Sequence, residues 1–132
     1  DKIKKLNDDF ECIGSHSHSH SPLAKMNANE VKKELEISRN YLEKVIGKSI
    51  KVLSYPLGNP DAVSKRDAQI ARDLNYQFAF TMEREINRSL RDPLLLARID
   101  CNDLPEVGKK PIFSFGKDIT RKDGSRSLRS LY

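Results

Sequence analysis

The segment between Asn27 and Gly47 constrains the fold of this chain more than any other part of the sequence. Asn27 can cap a helix, and Glu30 stands at the third helical position, as in a capping box. Apolar side chains then recur every three or four residues, which places them on one helical face. Glycine is the usual residue just past a helix end. The pattern predicts an amphipathic helix over residues 28–46.

Short segments with strand character flank this helix and a second helix, which the pattern predicts over residues 62–74. They lie at residues 10–13, 50–55, 78–81 and 94–99. Each either alternates apolar and polar residues or is rich in β-branched, aromatic or leucine residues, as expected of strands. A turn with two prolines and a glycine separates the second strand from the second helix. Strands that alternate with helices indicate βαβ units, so we predict an α/β fold with a parallel sheet.

Composition narrows the classes of protein that remain. The chain has 132 residues, 37% of them hydrophobic and 33% charged, which is enough for a core of its own. No apolar run approaches the length of about 18 residues that a membrane span needs. We therefore expect no membrane span, and no signal peptide is visible. Cys12 and Cys101 lack metal-ligand spacing, and the sequence leaves open whether they are free thiols or one disulfide.

The net charge of +5 originates at one end of the chain. Residues 109–132 hold seven of the 24 basic residues but only two of the 19 acidic ones. The rest of the chain therefore carries no net charge to attract phosphate, and we expect no nucleic-acid partner. This change in composition divides the chain into a predicted domain at 1–107 and a basic tail at 108–132.

All three histidines fall within five residues, at His16, His18 and His20. Histidine is the commonest metal ligand in proteins, and neutral imidazole suits Zn²⁺. A spacing of four lets His16 and His20 converge on one ion if the segment turns, whereas an extended segment would pair residues two apart. Neighbouring serines and a proline disfavour a straight strand, so we predict His16 and His20 as metal ligands. A Ser/His-rich surface loop and an engineered metal-affinity stretch are the alternatives.

The run at residues 13–23, Ile-Gly-Ser-His-Ser-His-Ser-His-Ser-Pro-Leu, resembles the second motif of the polysaccharide deacetylases. In that family the two outer histidines bind the metal, a role that carries over to His16 and His20. His18 falls at a variable position of the motif and receives no such role. Residues 54–58, Ser-Tyr-Pro-Leu-Gly, resemble a Tyr-Pro-x-Gly form of the third family motif.

The resemblance covers roughly residues 10–100 and implies both a fold and a site. The fold is part of a distorted (β/α) barrel. The backbone N–H of Leu57 is expected to stabilise an oxyanion, while Tyr55 and Pro56 are expected to contact the substrate. Arg98 is a candidate replacement for the arginine that opens the common third motif, with an ordinary salt-bridged arginine as the alternative.

The implied activity is removal of N- or O-acetyl groups from a polysaccharide or oligosaccharide by a hydrolase that uses a divalent metal. Zn²⁺ is the expected metal, with Co²⁺ or Ni²⁺ as alternatives. The family's Asp-Asp motif, which supplies the general base and a third ligand, has no counterpart here. Asp8 and Asp9 lie too close to His16. Residues 2–9 look like the end of a helix that runs into a turn, and we predict that Asp8 and Asp9 lie in this solvated turn.

The missing Asp-Asp motif leaves two interpretations open. The chain is either a C-terminal portion of a deacetylase, inactive alone, or a non-catalytic metal- or glycan-binding relative whose basic tail contacts polyanions. Open sheet edges favour association, so we expect an oligomer or a missing N-terminal segment. The family resemblance implies an N-acetylated glycan substrate and a secreted, periplasmic or cell-envelope location.

Overall fold

The computed structural model describes residues 2–10 and 12–99. The predicted division between 1–107 and 108–132 lies outside them, as does Cys101. The elements, in chain order, are α1 (Lys2–Phe10), a 3₁₀ turn (Leu23–Lys25), α2 (Ala28–Ile46), β1 (Val52–Ser54), α3 (Lys65–Asp73) and β2 (Phe78–Phe80). None of the described helices is long and apolar enough to cross a membrane.

Helix α2 has the bounds that the sequence predicts. Asn27 Oδ1 accepts the Glu30 N–H at 3.0 Å, and Glu30 Oε2 accepts the Asn27 N–H at 2.8 Å, which completes the capping box. Gly47 ends the helix in the left-handed conformation, with φ 72°. Val31 and Leu35 on the inward face are fully buried.

The strands form a parallel sheet whose order follows the chain. β1 pairs with β2, with Leu53 opposite Ala79. Ser15 adds a parallel bridge beside β1, and Leu96 adds one beside β2. The predicted α/β class and parallel pairing are confirmed. This sequential order is typical of (β/α) barrels, but the described residues form only an open arc of sheet.

The first predicted strand, at residues 10–13, is wrong. Helix α1 extends to Phe10, and the first residue paired with the sheet is Ser15. The Ser15 N–H donates to the Val52 carbonyl at 2.8 Å, and the Ser15 carbonyl accepts from the Ser54 N–H at 2.9 Å. The apolar–polar alternation of 10–13 therefore begins in a helix end instead of a strand.

The last predicted strand, at residues 94–99, is also wrong, because the paired segment is much shorter than predicted. Only Leu96 is paired with β2, because the residues before it form a turn. The side-chain amide of Asn87 then donates to the Ala97 carbonyl at 2.8 Å and accepts the Ala97 N–H at 3.0 Å. Asn87 thus satisfies backbone groups that a neighbouring strand would otherwise pair.

Helix α3 is shorter than the predicted helix at 62–74. The Asn59 carbonyl accepts the N–H groups of residues 62–63 at 3.0 and 3.1 Å, so a turn occupies the predicted helix start. Ser64 then donates both its N–H and its hydroxyl to Asp67 Oδ2, each at 2.8 Å. These contacts cap α3 three residues later than its apolar pattern suggests.

The core lies among α2, α3 and the sheet, and α2 packs directly against α3. It is made mainly of aliphatic side chains, with Tyr55 the largest fully buried one. Because all the paired segments run in the same direction, their carboxyl ends meet at one edge. Ligands of open parallel sheets and of (β/α) barrels bind at this edge.

Candidate functional site

The carboxyl edge gathers candidates that are distant in sequence. We use this name for residues 16, 55–57, 81–82 and 97–98, which directly follow the four paired segments. His16, Leu57 and Arg98 therefore lie at the same edge of the sheet. Parallel pairing explains this arrangement, since each segment delivers its next residues to the same edge.

The ring of His16 is oriented by the backbone of β1. His16 Nδ1 lies 2.7 Å from the Ser54 carbonyl oxygen. A carbonyl can only accept, so Nδ1 carries the proton and donates in this contact. In the neutral ring, Nε2 of His16 is then the nitrogen with the free electron pair, which is the form of imidazole that binds a metal.

His20 returns to His16 through a tight loop. The two ring centroids lie 4.9 Å apart, with an angle of 67° between the rings. Ser17 and His20 have φ values of 61° and 60°, in the left-handed region, and the His20 N–H donates to Ser17 Oγ at 3.1 Å. The loop brings together His16 and His20, the pair predicted from their spacing. It does so without forming a helical turn.

These two imidazoles fit part of a zinc site. Both rings are exposed to solvent, and imidazole nitrogen is a preferred Zn²⁺ ligand. Within residues 2–10 and 12–99, no three His, Cys, Asp or Glu side chains come together to hold a metal. Asp8 and Asp9 are exposed as expected, but they lie within α1 and not in a turn. A third ligand would have to come from elsewhere.

Leu57 lies at the carboxyl edge in a left-handed backbone conformation. Its φ is 59°, a conformation that costs a residue with a side chain about 1–2 kcal/mol. Among the described residues, the Leu57 N–H has no hydrogen-bond acceptor. Gly58 holds the turn, because its carbonyl accepts the Met82 N–H at 2.8 Å. Backbone strain of this kind is often found at functional sites.

The side chains of Tyr55 and Pro56 are buried, and the substrate contact expected of these two residues stays a prediction. The Tyr55 hydroxyl donates to the Leu94 carbonyl at 2.9 Å, inside the core. Burial, reinforced by the charge of Asp67, raises the pKa of the Tyr55 phenol.

Arg98 is held by backbone groups. Its Nε donates to the Thr81 carbonyl at 2.7 Å, and its N–H donates to the Glu83 carbonyl at 2.8 Å. The side chain is half-buried beside the end of β2. The structure thus places a permanent positive charge at the carboxyl edge, and the role of Arg98 in orienting a base stays a prediction.

Glu34 contacts the loop of residues 16–20, which we call the histidine loop, and is a site residue that sequence reasoning missed. It is buried on α2, and its Oε2 accepts the His18 N–H at 3.1 Å and the Ser19 N–H at 2.7 Å. Burial raises the pKa of Glu34, but the hydrogen bonds from Ser19 and His18 outweigh it, and the pKa falls below its ordinary value. One sequence signal was present: Glu34 occupies the inward stripe, between Val31 and Leu35.

The lowered pKa of Glu34 predicts a pH-dependent contribution to stability. The ionised carboxylate stabilises the folded state above the ordinary pKa near 4.5, and this contribution is lost as the pH falls through the lowered pKa. The difference in melting temperature between wild type and Glu34→Gln should therefore be largest near pH 7. It should shrink steadily toward pH 3 in a calorimetric series. A difference that is constant over this range would contradict the account.

Comparisons with known proteins agree with the fold and identify the family. The sequence model of the family described as polysaccharide deacetylase matches residues 1–79. The deacetylase PplD of Streptococcus pyogenes, solved in complex with acetate, is 24% identical with a TM-score of 0.65, covering 74% of this chain and 43% of that one. The polysaccharide deacetylase BC0361 of Bacillus cereus is 28% identical with a TM-score of 0.62, covering 74% of this chain and 30% of that one.

The chain thus spans less than half the length of these solved structures. A search of curated proteins finds no match. The family match includes His16, His20, Glu34 and Leu57 of the candidate site, whereas Arg98 lies beyond it. The family match covers more than half of the chain, so the chain belongs to the polysaccharide deacetylase family.

Proposed function

We propose that this protein is a metal-dependent hydrolase that removes N- or O-acetyl groups from a polysaccharide or oligosaccharide. The observation that carries the proposal is the pairing of His16 and His20, whose ring centroids lie 4.9 Å apart at the carboxyl edge. Membership of the polysaccharide deacetylase family supports the reaction type. An N-acetylated glycan is the proposed substrate.

His16 and His20 would hold the divalent metal, which we propose to be Zn²⁺, with Co²⁺ or Ni²⁺ as alternatives. When bound, such an ion supplies Lewis-acid polarisation of the acetyl carbonyl and lowers the pKa of water. The protein's part is orientation: the Ser54 carbonyl fixes the ring of His16 and directs the proton to Nδ1. Outer hydrogen bonds of this kind also raise the basicity of the ligand nitrogen.

The Leu57 N–H is the proposed donor to the substrate oxygen that becomes negatively charged. A donor already aimed at the developing charge stabilises the transition state without reorganising during the reaction. The turn is held in place because Gly58 pairs with Met82 across the edge. Since the donor is a main-chain group, the identity of the residue at position 57 matters less than its conformation. Arg98 is the proposed orienting charge for the general base.

The described residues supply only part of the proposed site. We propose that the general base, the general acid and a third metal ligand come from outside them, and that further strands continue the arc into a distorted (β/α) barrel. Either a preceding segment or a second copy of the chain would cover the sheet edge beside Ser15. No observation favours the alternative of a non-catalytic binding relative. We propose a secreted, periplasmic or cell-envelope location, on the basis of the family.

Removal of the metal tests the proposal. We expect the full-length protein to release acetate from N-acetylated chitooligosaccharides, and chelation with dipicolinate to lower the rate at least about 100-fold, since a catalytic metal supplies several kcal/mol. Zn²⁺ or Co²⁺ should restore the rate, and Mg²⁺ is the control that should not. An unchanged rate after complete chelation would contradict metal dependence. The deacetylase proposal would fail if the metal-loaded protein released no acetate from N- or O-acetylated glycans.

A further inference from the structure

The loop that carries both proposed ligands needs support from outside itself. This histidine loop, residues 16–20, includes Ser17 and His20 in the left-handed region, with φ values of 61° and 60°. Each such conformation costs a residue with a side chain about 1–2 kcal/mol. The internal hydrogen bond from the His20 N–H to Ser17 Oγ is exposed to water, where its net contribution is small. The conformation therefore depends on contacts with the rest of the fold.

Glu34 supplies that contact from below the loop. A single oxygen, Oε2, accepts two successive N–H groups, from His18 at 3.1 Å and from Ser19 at 2.7 Å. Both donors lie on the backbone between the two proposed ligands. Hydrogen bonds to a charged acceptor are roughly twice as strong as neutral ones, and burial of the carboxylate makes their loss more costly.

The carboxylate stands on a rigid support. Helix α2 is capped at both ends, and Val31 and Leu35 on either side of Glu34 are fully buried. The side chain of Ser15, which precedes the loop, also donates to α2, through Ser38 Oγ at 2.9 Å. Helix α2 therefore restrains the loop at its start and at its centre.

We propose that Glu34 is a positioning residue for the metal site: it sets the backbone between His16 and His20 so that both imidazoles face one ion. This inference rests on the proposed function, because it requires that the two histidines bind a metal. Glu34 does not itself contact the ion. It acts through the His18 and Ser19 N–H groups, which fix the distance between the two ligands.

Helix α2 offers a matched control for this role. Glu43 Oε1 accepts the Ile50 N–H at 2.9 Å, so it too is a carboxylate of α2 that holds a loop backbone. It lies nine residues further along the helix, about 13 Å away at 1.5 Å per residue. Glu43→Gln and Glu34→Gln thus remove the same charge and weaken the same kind of hydrogen bond. Only Glu34→Gln does so at the histidine loop.

The experiment compares Zn²⁺ affinity by calorimetric titration of the full-length wild type, Glu34→Gln and Glu43→Gln. We expect Glu34→Gln to weaken Zn²⁺ binding about 10-fold, the effect typical of losing an outer partner of a metal site, and Glu43→Gln to bind as wild type does. A second measurement needs no metal: hydrogen exchange at the His18 and Ser19 amides should accelerate in Glu34→Gln alone. If Glu34→Gln does not fold, Glu34→Asp, which keeps the charge but shortens the side chain, is measured in the same way.

Equal Zn²⁺ affinity in the two variants would overturn the inference, as would unchanged amide exchange in Glu34→Gln. A wild type that binds no Zn²⁺ would overturn it as well. Acetate release by the wild type is measured separately and reports on the proposed function. A protein that binds Zn²⁺ but releases no acetate would contradict the deacetylase, while the two affinities would still decide the role of Glu34.

Discussion

Replacing either His16 or His20 by alanine in the full-length protein is expected to weaken Zn²⁺ binding more than about 100-fold. Losing a residue that only hydrogen-bonds to a ligand weakens metal binding about 10- to 100-fold, so losing a ligand itself should have a larger effect. Each replacement removes one of the two proposed nitrogen ligands of the site. The ring centroids lie only 4.9 Å apart, and the loop between them is short and hydrogen-bonded to α2. His18 is the one remaining described histidine that could take the place of the lost ring. Calorimetric titration with Zn²⁺ measures the effect directly.

His18→Ala is the matched control for these two variants. His18 belongs to the same exposed loop, but the structure uses its backbone N–H, which alanine retains, in the bond to Glu34. We therefore expect His18→Ala to bind Zn²⁺ and to release acetate at close to the wild-type values. A larger loss in His18→Ala than in His16→Ala or His20→Ala would contradict the assignment of the ligand pair.

Gly58→Ala is expected to destabilise the protein strongly, because it adds a methyl group where the neighbouring backbone leaves no room. Gly58 has φ 59°, and an added Cβ would lie 2.5 Å from the Met82 backbone nitrogen and 3.0 Å from the Thr81 carbonyl carbon. The obstacle is mainly backbone, and the hydrogen bond from the Met82 N–H to the Gly58 carbonyl prevents an easy shift. The variant thus combines left-handed strain with overpacking.

Gly47→Ala separates these two effects. Gly47 has a similar φ of 72°, but an added Cβ there meets nothing within 4 Å. We expect Gly47→Ala to lower the free energy of unfolding by about 1–2 kcal/mol from backbone strain alone. Gly58→Ala should add a further loss of about 1–3 kcal/mol from overpacking, measured by urea denaturation. Equal losses in the two variants would contradict the close approach of Gly58 to Met82.

The helices were more predictable from sequence than the strands, for a physical reason. The capping box at Asn27 and Glu30 and the glycine at position 47 are local signals, and they define α2 completely. Strand length depends instead on which neighbours are available to pair. The turn before Leu96 and the side chain of Asn87 replace the pairing that the apolar run at 94–99 predicts.

The positions of the candidate residues were predictable where they depend on spacing, and less so where they depend on packing. The spacing of His16 and His20 was enough to pair them, and the structure brings their rings together. A motif cannot show which side chains face inward, and Tyr55 proves to be a core residue. Glu34 was missed because a glutamate within a charged helix suggests a solvated face, although its place in the apolar stripe indicates burial.

The most direct measurement of the central claim is an anomalous diffraction experiment at the zinc absorption edge, on crystals of the full-length protein loaded with Zn²⁺. Our account predicts one strong peak at the carboxyl edge, within bonding distance of one nitrogen of His16 and one nitrogen of His20. The His16 nitrogen should be Nε2, since Nδ1 donates to the Ser54 carbonyl. A zinc peak held by other residues, with neither His16 nor His20 coordinated, would contradict the account.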